Sequence, residues 1–100
     1  MTSVFSVSTT SSKPPYLVRD EIQRVLGNLN VKCTTKGFDI TCSYVPPSDV
    51  SVEGDREVTF EISIVKVKFL NLYGLLMKKN SGDVVIYKSL CGQILSTARL

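Results

Sequence analysis

A strict alternation of apolar and polar residues near the middle of the chain is its clearest pattern. The apolar positions are Val58, Phe60, Ile62 and Ile64, and the polar positions between them are Thr59, Glu61 and Ser63. Successive side chains of a strand point to opposite faces of a sheet, so this alternation predicts a strand with one buried face. After Ile64 the apolar phase shifts by one residue, which predicts a bulge or the approach to a turn.

Two other segments carry apolar residues at the spacing of amphipathic helices. The first opens at Pro14-Pro15, ends at Gly27-Asn28 and has its apolar positions at Leu17, Val18, Ile22, Val25, Leu26 and Leu29. The second has them at Tyr87, Leu90, Cys91, Ile94, Leu95 and Ala98. Because residues 84–86 are β-branched, we expect that first turn to be extended and place the helix at about 86–98.

Shorter β-prone runs complete the order. Residues 4–7 predict a short edge strand before a polar connection at 8–12, residues 31–45 a hairpin that turns at Lys36-Gly37, and residues 73–79 a further strand. Residues 46–55 predict an acidic loop. The order β-α-β-β-β-β-α predicts a single α+β domain over residues 1–100, with two helices on one face of a four- or five-stranded antiparallel sheet and the other face open to solvent.

Composition narrows the choice of function. The chain has 100 residues, 43% of them hydrophobic, and a net charge of +3, which favours anionic partners but is modest for a nucleic-acid protein. We expect no nucleic-acid partner and a monomer. Because the first residues lack the pattern of a signal peptide and position 2 is Thr, we expect neither secretion nor an acyl anchor. The apolar run at 69–77 is too short to cross a bilayer.

The residues that usually carry catalysis are missing. The sequence has no histidine, no glycine-rich phosphate loop and no serine or cysteine with an identifiable base, so we expect no enzyme activity and no cofactor. Its three cysteines, Cys33, Cys42 and Cys91, lack zinc or disulfide spacing and are expected to be reduced and mostly buried. The acidic positions Glu53, Asp55 and Glu57 lack calcium-loop spacing and predict a solvated loop and no metal site.

Several motifs in collinear order resemble kinase-associated domain 1. The central pair, FEISIVK at 60–66 and LNLYGLLMKKNSG at 70–82, is most similar to the version in the microtubule-affinity-regulating kinases and their PAR-one, AMP-activated-kinase-related and fungal relatives. Flanking runs, FSVSTTSS at 5–12, EIQRVL at 21–26 and YKSLCGQIL at 87–95, are similar to the first strand, first helix and last helix of that family. The resemblance covers nearly the whole chain.

The resemblance implies a non-catalytic regulatory domain at the C-terminal end of a serine/threonine kinase. Such domains bind anionic phospholipids such as phosphatidylserine, so the expected location is cytoplasmic, peripherally at the inner face of the plasma membrane. An alternative is an autoinhibitory or protein-interaction module that contacts the parent's own kinase domain. One departure is Leu76, which stands where related sequences often carry a positive residue.

The candidate lipid-binding residues are mainly lysines of the two central strands. The predicted set is Lys66, Lys68, Lys78, Lys79, Leu76, Lys88 and Arg19. If a short turn makes those strands neighbours, the four strand lysines converge on one rim, and each contributes roughly 1 kcal/mol beside an anionic leaflet. The alternative is that they are separate solubilising charges, with Leu76 an ordinary exposed leucine and Arg19 a solvated helix residue. Lys13, Arg24, Lys32 and Arg99 are weaker candidates.

Overall fold

The computed structural model describes residues 6–46, 57–67 and 70–100. Its strands are β1 (Ser6–Ser11), β2 (Lys32–Lys36), β3 (Asp39–Tyr44), β4 (Val58–Val67) and β5 (Leu72–Ser81), and its helices are α1 (Pro15–Asn28) and α2 (Val84–Thr97). The strands form one antiparallel sheet in the order β1-β5-β4-β3-β2. The predicted α+β architecture and element order are therefore confirmed.

Both helices cover the same face of the sheet. Helix α1 packs on β2, β4 and α2, and α2 packs on β5. The alternating residues of β4 supply the sheet side of the core, because Val58, Phe60, Ile62 and Ile64 are all buried. The helices bury Val18, Ile22, Val25, Leu26, Leu90 and Ile94 against them. The Phe60 and Tyr87 rings meet edge to face, with their centroids 5.8 Å apart.

Local chemistry sets the ends of the helices. Pro15 occupies the first turn of α1, where a missing N–H costs nothing, and Asn30 takes a left-handed conformation (φ 61°) just past its end. Before α2, the Asp83 carboxylate accepts a hydrogen bond of 2.9 Å from the Val85 amide. The helix consequently begins at Val84, and the expectation of an extended first turn is wrong because this cap outweighs the weak β-branched preference.

Two strand predictions also need correction. The polar run at 8–12 is not a connection, since β1 extends to Ser11 and pairs with β5. Of the two alternatives given for the phase shift after Ile64, the bulge is wrong, because β4 continues without a register shift from Phe60 to Val67. The approach to a turn is confirmed, since β4 ends at Val67 and Leu70 lies in the turn before β5. The irregularity in this pair instead lies where Thr59 is opposite Ser81 and Phe60 opposite Lys79. The predicted strand at 4–5 and almost all of the acidic loop lie outside the described residues.

The hairpin at 31–45 is confirmed, but its turn is at Gly37-Phe38 and not at the predicted Lys36-Gly37, because Lys36 is still paired with Asp39. The three thiols are free: Cys42 is buried, Cys91 is half-buried and Cys33 is exposed, so the expectation of mostly buried cysteines fails at Cys33.

In the described part of the chain, no helix is long and apolar enough to cross a bilayer.

Candidate functional site

The lysines of β4 and β5 do not converge. Lys66 is paired with Tyr73, whereas Lys78 is paired with Glu61 and Lys79 with Phe60. Tyr73 and Lys79 are six residues apart on β5, which at the usual rise of a strand separates Lys66 from Lys79 by about 20 Å. The expectation of a single cationic rim is therefore wrong, and Lys68 lies outside the described residues.

The strand lysines also divide between the two faces of the sheet. Directly paired residues point to the same face, so Lys79 shares the helix-covered face with Phe60, and Lys66 follows the same alternation. Lys78 lies on the open face opposite Glu61. The β4–β5 turn lies near residue 70 and sets the register between the two strands. Lys66 is therefore close to the turn, and Lys78 is close to the opposite end of the strand pair.

The other three predicted residues occupy separate places. Leu76 is half-buried on the open face opposite Ser63, and Lys88 is exposed on α2. Arg19 donates a hydrogen bond of 3.3 Å to the Gly37 carbonyl and stacks 5.2 Å from the centroid of the Phe38 ring. These contacts join α1 to the β2–β3 turn, which gives Arg19 a structural role.

A different set of cations meets at one end of the helix-covered face. We call this set the basic corner, and its members are Lys13, Arg24, Lys66 and Arg99. The ammonium group of Lys13 donates to the Arg99 carbonyl at 2.9 Å. The Arg99 amide donates to the Glu21 carboxylate at 2.7 Å, and that carboxylate also pairs with Arg24. The cationic groups of Lys13 and Arg24 are thus linked through the Glu21 carboxylate and the backbone of Arg99.

Lys66 reaches the same corner through the sheet. It pairs with Tyr73, which pairs with Ser11 in β1. Two strand spacings separate Lys66 from Ser11, which is about 10 Å. The Ser11 hydroxyl donates to the Leu100 carbonyl at 3.0 Å and accepts a hydrogen bond of 3.1 Å from the Lys13 amide. Lys66 therefore lies beside the segment that carries Lys13 and Arg99.

Glu21 is the acidic residue that organises the corner. Hydrogen bonds from the Arg24 guanidinium and then from the Arg99 amide lower the pKa of Glu21 from 4.5 to about 2. Its carboxylate is charged at neutral pH and compensates one of the four cations, which leaves a side-chain charge of +3 (four positive, one negative) at this corner.

Aliphatic residues lie at the β4–β5 turn, at the same end of the sheet as Lys66 of the basic corner. Val67 pairs with Leu72 one position beyond Lys66, and Leu70 in the turn is 53% exposed. We call Val67, Leu70 and Leu72 the hairpin tip. Apolar groups next to cations are the combination that peripheral membrane proteins present to a bilayer surface.

A second apolar surface lies at the opposite end, where α2 begins. A groove of about 300 Å³ runs between Tyr44, Pro46 and the α2 residues Val85, Ile86, Ser89, Leu90 and Gln93. Val85 is 69% exposed and its neighbour Val84 is 47% exposed. The described residues hold no group of three or more side chains positioned to bind a metal ion.

Comparisons with known proteins agree on one family. The family model "Kinase associated domain 1" matches residues 56–100. Over 97% of its length the chain is 31% identical to a probable serine/threonine-protein kinase, MARK-C, of Dictyostelium discoideum. It is 28% identical over 96% to the maternal embryonic leucine zipper kinase of Xenopus laevis, and 27% identical over 97% to protein kinase kin1 of Schizosaccharomyces pombe.

These relatives are much longer proteins, of which the chain spans 12%, 14% and 15%, respectively. Solved structures agree on the fold. The adenylate sensor of AMP-activated protein kinase superposes with a TM-score of 0.70 at 13% identity, covering 92% of this chain and 94% of that one. The vertebrate conserved region of human METTL16 superposes with a TM-score of 0.62 at 13% identity, over 86% of this chain and 72% of that one.

The collinear match to kinases of the MARK type, the family model over residues 56–100 and the shared fold are consistent with one another. The chain belongs to the kinase-associated domain 1 family, the non-catalytic regulatory domain of MARK-type and related serine/threonine kinases.

Proposed function

We propose that this domain attaches a parent serine/threonine kinase to membranes that carry anionic phospholipids, by means of the basic corner and the hairpin tip. The observation that supports the proposal is that both surfaces lie at the end of the sheet where β4 turns into β5. Lys66, in the corner, is one position from the Val67–Leu72 pair of the tip, and Lys66 and Val67 point to opposite faces of that end. The proposal keeps the lipid class expected from the sequence but moves the contact away from Lys78 and Lys79.

The charges of the corner favour this use. Each lysine or arginine near an anionic leaflet contributes about 1 kcal/mol, so a side-chain charge of +3 supports reversible attachment that weakens as salt screens it. The exposed Leu70 side chain adds a short-range apolar term if it enters the boundary between headgroups and acyl chains. Neither contribution alone is large, and their position at one end of the domain allows both to act together.

Vesicle sedimentation tests the proposal. Vesicles of phosphatidylcholine with and without phosphatidylserine are incubated with the domain and with the variant Lys66→Ser plus Arg99→Ser. We expect binding only when phosphatidylserine is present, and a roughly ten- to thirty-fold loss of affinity in the variant, which corresponds to about 1.4 to 2 kcal/mol.

A charge-matched control separates the site from the net charge. The variant Lys32→Ser plus Lys36→Ser removes the same two charges from the exposed edge strand β2, and we expect less than a threefold loss. The variant Lys78→Ser plus Lys79→Ser tests the contact expected from the sequence. Equal losses in all three variants, or equal binding to vesicles of phosphatidylcholine alone, would contradict the proposed site.

A second candidate function is contact with the parent's own kinase domain. The observation that favours it is the groove beside α2, which Val85 lines. Val85 and its sequence neighbour Val84 are both exposed to solvent although they are large aliphatic residues. A kinase lobe in the same polypeptide is present at high effective concentration, so even a small apolar contact is occupied.

Adding the domain in trans to the matching kinase domain tests this candidate. We expect kinase activity to fall as the wild-type domain is titrated, and Val85→Asp to abolish the effect while leaving vesicle binding unchanged. Lys32→Ser, at the edge strand, is the control and should inhibit like the wild type. No inhibition at saturating domain would remove the candidate and leave membrane attachment unaffected.

A further inference from the structure

Cys33 and Cys42 are directly opposite each other in the β2–β3 hairpin. Paired residues of an antiparallel sheet share a face, so both thiols are on the helix-covered side. Cys42 is 1% exposed, whereas Cys33 on the edge strand is open to solvent. One accessible thiol and one buried thiol therefore face each other across two neighbouring strands.

The hydrogen-bonding pattern shows which kind of pair this is. The Phe38 carbonyl accepts a hydrogen bond of 3.0 Å from the Ile64 amide, so residues 38, 40 and 42 direct their backbone polar groups toward β4. Cys42 therefore makes no backbone hydrogen bond to Cys33. In such a non-hydrogen-bonded pair the Cα atoms are about 4.5 Å apart, within the range of about 4.4 to 6.8 Å that a disulfide spans.

We propose that this pair is an oxidation site, at which a peroxide converts Cys33 and Cys42 into a reversible cross-strand disulfide. In the first step the Cys33 sulfur attacks one peroxide oxygen, the O–O bond breaks, and Cys33 sulfenic acid and water form. In the second step the Cys42 sulfur attacks the Cys33 sulfur, the S–O bond breaks, and the hydroxyl leaves as water with the Cys42 proton. The two thiols lose two electrons, and the peroxide gains them.

The environment of each thiol assigns the order of these steps. Burial, followed by the neighbouring Cys33 and Cys91 thiols, raises the pKa of Cys42 to about 12, so Cys42 stays protonated and shielded from the oxidant. Cys33 is the thiol that a dissolved peroxide reaches. The half-buried Cys91 on α2 is the competing partner that an experiment must distinguish.

Peptide mapping makes that distinction, because trypsin cleaves after Lys32, Lys36, Arg56, Lys88 and Arg99 and puts each cysteine in a different peptide. The domain is treated with one to ten equivalents of hydrogen peroxide, alkylated, and digested without reduction. We expect peptide 33–36 to be linked to peptide 37–56, the number of free thiols to fall from three to one, and dithiothreitol to restore all three.

Two variants complete the test. Cys91→Ser should form the disulfide at the wild-type rate, and Cys33→Ser, a change at an exposed position, should leave Cys42 as a free thiol in a folded domain. Folding of each variant is checked by circular dichroism. Three results would each overturn the proposal. They are a disulfide from either peptide to the Cys91 peptide 89–99, a dimer linked through Cys33, and oxidation of Cys33 to sulfinic acid without a disulfide.

Discussion

The Glu21 carboxylate accepts a hydrogen bond of 2.7 Å from the backbone amide of Arg99, 78 residues further along the chain. Because the same carboxylate pairs with Arg24 on α1, a single side chain holds the last residues of the fold against the first helix. The Ser11 hydroxyl, which donates to the Leu100 carbonyl, adds β1 to this attachment. Glu21 therefore contributes to the stability of the domain and helps to shape the basic corner, together with Ser11 and Lys13.

Replacing Glu21 should reveal that dependence as a function of pH. The pKa of Glu21 in the folded domain, about 2, is below its ordinary value of 4.5, so its contribution is fully present above pH 4.5 and is lost as the pH falls toward 2. We expect Glu21→Gln to lower the free energy of unfolding by roughly 1 to 2 kcal/mol at pH 7. This range allows for solvent screening, because the Glu21 carboxylate is partly exposed. Urea unfolding at pH 7, 4.5 and 2.5 should show that difference shrinking.

Asp20→Asn is the matched control for this variant. The Asp20 side chain is 62% exposed and is 3.8 Å from Arg19, so its removal should change the stability at pH 7 by less than about 0.5 kcal/mol. A difference between Glu21→Gln and the wild type that stays constant from pH 7 to 2.5 would contradict the role given to the carboxylate.

Gly82 should tolerate no side chain. Its φ of 105° is unfavourable for any other residue, and an added Cβ would lie 2.7 Å from the Glu57 carbonyl oxygen and from the Val58 Cα. We expect Gly82→Ala to lower the free energy of unfolding by at least about 2 kcal/mol in chemical denaturation. Gly92→Ala on α2, where an added Cβ meets nothing within 4 Å, should instead raise it by about 0.5 to 1 kcal/mol.

Neighbouring leucines of β5 should differ sharply in their contribution to stability. Leu75 is 1% exposed in the core, and Leu76 is half-buried on the open face. We expect Leu75→Ala to cost about 2 to 5 kcal/mol and Leu76→Ala about 1 kcal/mol or less. Thermal and urea unfolding measure both, and equal costs would show that β5 is placed with the wrong face toward the helices.

Arg19 should affect stability and not lipid binding. Arg19→Gln removes its hydrogen bond to the Gly37 carbonyl and its contact with the Phe38 ring, which we expect to cost about 1 kcal/mol. Its affinity for phosphatidylserine vesicles should stay within twofold of the wild type. A loss of affinity as large as that of the variant Lys66→Ser plus Arg99→Ser would show that Arg19 contacts the membrane.

Most of the fold was accessible from the sequence because its main signals are local. The alternation through β4 and the helical spacing in α1 report burial directly, and the structure confirms both. The start of α2 was mispredicted because β-branched preference is weaker than the Asp83 cap and the burial of Leu90 and Ile94. The extent of β1 was missed because an edge strand of serine and threonine shows little apolar alternation.

The candidate site was harder to predict because it depends on pairing between distant segments. Sequence proximity suggested that Lys66, Lys78 and Lys79 meet, but the position of the β4–β5 turn decides their register and separates them. The basic corner combines residues from both ends of the chain, Lys13 and Arg99, through backbone carbonyls and amides. No pattern of side chains in the sequence marks such contacts.

The edge strand β2 has a consequence for the domain at high concentration. Its exposed side chains include Lys32 and Lys36 at its two ends and Thr34 at its centre. If two copies met along this edge in antiparallel fashion, Lys32 of each would lie opposite Lys36 of the other, and the like charges would repel. We expect this repulsion to discourage growth of a continuous intermolecular sheet, and concentrated salt to weaken the protection.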